Sequence, residues 1–278
     1  MHGERCEGRL NGVFGAVALI AGNGVTTKIS LDQIDDTGLA RVADFLENRA
    51  AAPASWANSG SKVAKSVKDK LQVLKDGKLV KFEPGSRPEP EVYLLYFGAG
   101  WCGPCRTFSP NLVKAYDTLK QAAPDYFEVI FISSDREGAD QRAYAAETKM
   151  PWPILRFAAL GRAEPVEQWA SNGIPCLVAV TREAEMIYHS YIDQHTYVGP
   201  QVVLRQFAEL LYSTLGKSDE VKRARHRLSV LQHVRAAAGG PSTIKPYLLD
   251  FDRAKYRTLT LKEFTAKLSI DEHGRVVE

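Results

Sequence analysis

The sequence predicts an α/β protein: a mixed sheet flanked by helices, with a small β-rich N-terminal module and an α+β C-terminal extension. Three observations carry that expectation. The run Val92-Tyr93-Leu94-Leu95-Tyr96-Phe97 is apolar without a break, as suits a strand buried on both faces. Gly98 and Gly100 then loosen a turn, Trp101-Cys102-Gly103-Pro104-Cys105 follows, and Phe108, Leu112, Ala115 and Leu119 recur at helical spacing. A second apolar strand over 127–133 and a hairpin of 176–180 with 186–191 alternate with further helical segments.

Composition agrees. A chain of 278 residues with 45% hydrophobic content can bury a real core and has room for two or three small domains. A net charge of +3 is too small to argue for nucleic acid or a membrane surface. Four cysteines exclude a disulfide-stapled scaffold. No apolar run approaches the roughly 18 residues that a membrane helix needs, so no membrane span is expected. The stretch 13–21 follows Arg5 and Arg9 and has the look of a weak secretory leader or of a strand. The turn Gly22-Asn23-Gly24 and a returning strand over 25–31 favour the strand. The expected location is cytoplasmic as the chain stands, or periplasmic if a leader has been trimmed.

Element by element, residues 1–50 form the small module: a hairpin, then a helix opened by Asp36-Thr37-Gly38 with Leu39, Val42, Phe45 and Leu46 on one face. Residues 51–78 read as a linker (Ala50 to Ser55, Asn58 to Ser61) and an amphipathic helix with Val63, Val67, Leu71 and Leu74 in line. Asp76-Gly77 turns that helix into a short strand over 78–82. Residues 79–215 form the main domain, with helices over 139–148, 165–171 and 201–215. Residues 216–278 add a charged helix whose basic run, Lys222 to Arg227, reads as a solvated face, and then a hairpin. Within it, 259–268 fits helix and strand equally well.

The chemistry sits at the two cysteines spaced Cys-x-x-Cys. The order of elements puts Cys102 at the first turn of a helix, where unpaired N–H groups and the positive dipole end favour a thiolate. Cys105 lies one turn further in, close enough to close a short disulfide. Gly103 and Pro104 keep the turn tight, and the missing N–H of proline costs nothing at a helix start. Trp101 is expected as the lip of the site. The competing reading is a structural zinc, which wants four ligands. Cys6 and Cys176 stand alone, and His2, His189, His195, His226, His233 and His273 show no ligand spacing. The pair is therefore read as a redox dithiol, with no metal and no cofactor. Cys102 is expected to be the exposed, attacking thiol and Cys105 the deeper, resolving one.

Beyond the motif, Tyr96-Phe97, Trp101 to Arg106, Phe108, Pro110, Ser133-Ser134-Asp135-Arg136, Met150-Pro151-Trp152 and Gly173-Ile174-Pro175 carry a wider likeness. Over residues 79–215 the chain resembles a thioredoxin-fold domain of the nucleoredoxin and tryparedoxin type. The resemblance implies a thioredoxin-like sheet and thiol–disulfide exchange. It also implies a cis Ile174-Pro175 bond facing the dithiol, with the Ile174 backbone forming a groove for an extended substrate segment. Three residues depart from the pattern. Gly103-Pro104 stands where these families usually carry Pro-Pro. Tyr96, as in tryparedoxins, holds the position where thioredoxin has a buried, proton-relaying Asp. Cys176 follows the proline where threonine is common, and reads as a small buried structural residue or as a third thiol.

Three functions follow from the residues and the resemblance. The first is a protein-disulfide oxidoreductase whose partners are protein disulfide clients and an upstream electron donor. The second is an electron donor to a peroxidase. The third is a redox-sensing adaptor without turnover.

Overall fold

A computed structural model describes residues 8–215, except 15, 23, 24, 49–54 and 194, together with 227, 230 and 231. The chain divides into two units, Met1–Ala51 with Glu209–Thr260 and Ala52–Ala208 with Leu261–Glu278. The expected strands and the ambiguous stretch of the C-terminal extension lie outside the described residues.

The first unit contains a meander of β1 (Arg9–Phe14), β2 (Val17–Gly22) and β3 (Val25–Ser30), paired antiparallel in that order. The apolar stretch 13–21, expected as one strand, is two. The chain turns between Phe14 and Val17, so Val13 pairs with Ala18 across the ladder. Helix α1 (Asp36–Asn48) buries Leu39, Val42, Ala43 and Leu46 against Val13, Ala18 and Leu31. At its start the Asp35 carboxylate accepts the Gly38 N–H at 2.6 Å, satisfying one of the donors that a helix start leaves unpaired. Arg227, from the run expected to be solvated, donates to the carbonyls of Leu31 and Asp32 and to the Asp36 carboxylate.

In the second unit, residues expected as linker and helix enter the core instead. Trp56 is only 6% exposed, with its ring centroid 5.1 Å from Phe82 and 5.7 Å from Tyr93. Ser61 caps α2 (Lys62–Val67) by accepting the Ala64 N–H at 3.1 Å. The helix stops early because Asp69 adopts a left-handed φ of 57°, and the chain returns as β4 (Leu71–Lys75) and β5 (Lys78–Lys81). Leu71 and Leu74 are therefore strand residues. The periodicity ran on because Leu71 faces the same core as Val63 and Val67.

Beyond β5 come β6 (Val92–Gly98), α3 (Gly103–Ala122), β7 (Phe127–Ser133), α4 (Gly138–Thr148) and β8 (Ile154–Leu155), then β9 (Cys176–Thr181), β10 (Met186–His189) and α5 (Pro200–Leu215). The sheet runs β10-β9-β6-β7-β8-β4-β5. Strand β6 is parallel to β7 and antiparallel to β9, so the sheet is mixed as expected. Alternation sends Tyr93, Leu95 and Phe97 to the face that holds Trp56, Val63 and Val67. Tyr96 points to the other face, 5.5 Å from the Phe108 ring of α3. On that face Tyr144 of α4 meets Phe131, and Phe207 of α5 meets Phe127. The helix expected over 165–171 is reduced to a 3-10 turn, Glu167–Trp169.

A polar knot holds the α2 segment in place. The buried Glu89 carboxylate accepts from the hydroxyls of Ser59, Ser61 and Tyr93. Arg182, at the end of β9, donates to the Glu89 and Pro90 carbonyls and pairs with Glu91 at 2.8 Å. A buried carboxylate is tolerated only with such partners.

Trp56 separates the linker expectation from the observed fold. Trp56→Ala should lower the stability of the full chain by about 3–5 kcal/mol, as for a core aromatic. A linker residue would change it by about 0.5 kcal/mol or less. Urea unfolding of the two proteins measures the difference, and a linker-sized loss would contradict the packing.

Candidate active site

The site is built at the carboxyl end of β6. Ser134 N–H donates to the Gly98 carbonyl at 2.8 Å, which continues the β6–β7 pairing past the strands. Gly100 donates its N–H to Asp135 Oδ1 at 2.8 Å, and the other oxygen, Oδ2, accepts the Ser133 hydroxyl at 2.7 Å. The indole N–H of Trp101 reaches the Ser134 carbonyl at 3.1 Å. A Cβ at Gly100 would stand 3.1 Å from the Tyr144 Cβ, a tight contact that glycine avoids. The loop after β7 thus fixes the turn that presents the cysteines. The Asp135 contacts escaped the sequence reading, where Ser133 to Arg136 carried only a likeness.

Cys102 is the N-cap of α3, and its Sγ accepts the Cys105 N–H at 3.2 Å. A helix-start N–H aimed at sulfur favours the thiolate over the thiol. The two cysteines form a disulfide, with Cα atoms 5.2 Å apart. Cys105 is fully buried. Cys102, expected to be exposed, is only 5% exposed, because its sulfur is tied to Cys105 and lies 3.7 Å from the Ile174 carbonyl. Trp101, expected at the lip of the site, is 63% exposed. Gly103 and Pro104 occupy the first two helical positions, and Pro110 sits inside the same helix.

The Ile174-Pro175 bond is cis, as the resemblance implies, and its loop faces Cys102. Beneath the turn, Tyr96 bonds Ser109 Oγ at 2.8 Å, and Ser109 bonds the Tyr144 hydroxyl at 2.6 Å. Burial pushes the Tyr96 phenol well above its ordinary value, so this group stays protonated. Among the described residues no cluster of His, Cys, Asp and Glu could hold a metal ion.

Cys176 pairs with Phe97 across β9 and β6 and lies in the core on the Trp56 face, away from α3. Burial pushes its thiol up, and its Sγ is 3.9 Å from His189 Nε2. His189 accepts the Tyr191 N–H on Nδ1 at 2.9 Å, so the proton of the neutral ring sits on Nε2, 3.3 Å from the Trp169 carbonyl.

A thioredoxin-like family model matches residues 90–186. "Probable nucleoredoxin 1" of Arabidopsis thaliana is 41% identical over 101 residues, which is 34% of this chain and 17% of that protein. Nucleoredoxin of Mus musculus is 34% identical over 94 residues, covering 34% of this chain and 21% of the relative. The chain thus spans about a fifth of the length of these relatives. Among solved structures, tryparedoxin I from Leishmania major is 30% identical, covering 48% of this chain and 88% of its own, with a TM-score of 0.37.

His189 gives a pH signature. Burial lowers its pKa below the ordinary 6.5. The unfolded chain therefore takes up a proton that the folded one refuses once the pH falls below about 6.5, and stability drops as the pH falls through that value. Comparing urea midpoints from pH 7 to 5 for wild type and His189→Asn checks this. The variant's profile should be flatter, and parallel profiles would remove His189 from the account.

Proposed function

We propose that the thioredoxin-like domain is a thiol–disulfide oxidoreductase that reduces protein disulfides, with Cys102 attacking and Cys105 resolving. The observation that carries this reading is the placement of the pair. Cys102 caps α3, accepts the Cys105 N–H and is already disulfide-bonded to it. The likeness to nucleoredoxins supports the general class.

In the reduced protein the Cys102 thiolate attacks one sulfur of a client disulfide. That S–S bond breaks, a client thiolate leaves, and a mixed disulfide forms. Cys105, deprotonated, then attacks Cys102 Sγ and releases the second client thiolate. Two electrons pass to the client, and the Cys102–Cys105 disulfide is regenerated. An upstream dithiol donor must reduce it again. Trp101, Gly103 and Pro104 shape the mouth of the site, and Ile174 and Pro175 form the side of the groove against which the client lies. The Ile174 carbonyl lies 3.7 Å from the attacking sulfur.

Turnover with insulin and dithiothreitol tests the assignment. Cys102→Ser should abolish activity, and Cys105→Ser should stall as a client adduct visible on a non-reducing gel. Full activity in Cys102→Ser would end the proposal. Cys176→Ala should keep turnover within about fivefold, equivalent to roughly 1 kcal/mol in the barrier, because its side chain faces away from α3. A larger loss would argue for a three-thiol mechanism.

A further inference from the structure

Between β10 and α5 the chain makes an excursion that the exchange chemistry does not account for. Ser190 anchors it, with Oγ donating to the Leu177 carbonyl at 3.0 Å and accepting the Leu177 N–H at 2.8 Å. Tyr191 and Tyr197 then face each other as an isolated antiparallel bridge. Ile192 N–H donates to the Thr196 carbonyl, and Val198 N–H to the Ser190 carbonyl. Asp193 closes the tip, accepting the N–H groups of His195 and Thr196 at 2.8 Å and the Thr196 hydroxyl at 2.9 Å. This is a self-contained hairpin, stiffened by its own hydrogen bonds.

Both of its tyrosines point at one loop. The rings of Tyr191 and Tyr197 lie 4.8 Å apart. Tyr197 donates its hydroxyl to the Pro175 carbonyl at 2.7 Å. Tyr191 presses its hydroxyl on Gly173, where an added Cβ would stand 2.3 Å from that oxygen. The two hydroxyls therefore bracket Ile174, whose carbonyl lies 3.7 Å from Cys102 Sγ. We propose that Tyr191 and Tyr197 are positioning residues, a two-hydroxyl clamp that holds the Gly173–Pro175 loop against Cys102 and sets how closely a client approaches the sulfur.

The parts suit the role. The pKa of Tyr197 is pushed up to about 12, by burial first and then by the neighbouring Cys176, so its hydroxyl remains a donor across the working range. The Tyr191 contact works through shape, since Gly173 alone leaves room for that oxygen. The Tyr197 contact works through one hydrogen bond, whose net weight corresponds to about fivefold in an equilibrium. As a role in client engagement, the clamp rests on the oxidoreductase reading above. As a restraint on access to Cys102, it does not.

Two measurements on the full chain test both aspects. The first is the rate at which a maleimide reagent alkylates Cys102 in the reduced protein, in a Cys176→Ala background. The second is KM and kcat for insulin reduction. Tyr197→Phe keeps the ring and removes the bond, and should raise the alkylation rate about fivefold and the insulin KM by a similar factor, with a smaller change in kcat. Gly173→Ala should do the same by pushing the loop off Tyr191. Adding Tyr191→Phe to Gly173→Ala should reverse that effect, because the ring carbon left behind is 3.6 Å from the new Cβ, an ordinary contact. Loss of folding alone would not be rescued in this way. Unchanged alkylation in Tyr197→Phe, or no rescue in the double variant, overturns the clamp whether or not insulin is reduced. A wild type that fails to reduce insulin while Tyr197→Phe alkylates faster overturns the oxidoreductase reading and leaves the clamp standing.

Discussion

Everything at the dithiol depends on β6 being paired along both edges and covered on both faces. From Val92 to Phe97 it is hydrogen-bonded to β7 on one side and β9 on the other. All of its residues are buried. Such a strand has no freedom to slide, since a one-residue slip would turn Tyr96 into the Trp56 face and Phe97 toward α3. Its end is therefore a fixed point, and the chain leaving it at Gly98 can enter α3 only by a tight turn. That turn sets Cys102 at the helix start. The neighbouring strands bring their own loops to the same edge: β7 delivers Asp135 to the Gly100 N–H, and β9 is entered through Ile174, which delivers its carbonyl to the sulfur.

How much of this was legible in the sequence depended on the range of the forces involved. β6 and α3 were readable because their signals are local: an unbroken apolar run, then a 3.6-residue period with a dithiol at its start. The exposure of Trp101 and the cis Ile174-Pro175 bond agree with what the motif and the resemblance imply. The segment 51–78 misled for a physical reason. Ala, Ser, Asn and Gly imply a loop, yet Trp56 among them finds a slot beside Phe82 and Tyr93, and Ser59 and Ser61 find Glu89. Those partners lie far along the chain. The early end of α2 was hidden because a strand residue, Leu71, falls into register with a helical stripe. The burial of Cys102 and the reach of Tyr197 were equally invisible, since both depend on loops that meet only after the sheet has formed.

Tyr96 changes the proton chemistry of the site. Thioredoxin itself has a buried, proton-relaying Asp at this position, whereas the tryparedoxins that the chain resembles carry a tyrosine. Here the position holds a phenol in a chain of three hydroxyls with Ser109 and Tyr144. Each hydroxyl can donate one bond and accept others, so the chain satisfies itself without a charge. Burial raises the phenol well above its ordinary value, so Tyr96 enters this chain as a neutral hydroxyl. The hydroxyl chain ties α3 and α4 to β6 at the depth of the cysteines.

Trp101 has a consequence of another kind. Of the chain's four tryptophans, Trp152 and Trp56 are buried and Trp169 is half-buried, while Trp101 stands in solvent next to the disulfide. Its indole N–H donates to the Ser134 carbonyl, which restrains the ring beside the cysteine that follows it. An excited indole is quenched by an adjacent disulfide, which accepts its electron, and much less by a pair of thiols. The light this residue emits should therefore brighten on reduction, while the buried rings supply a constant background. The domain carries its own optical gauge of oxidation state, with no dye attached.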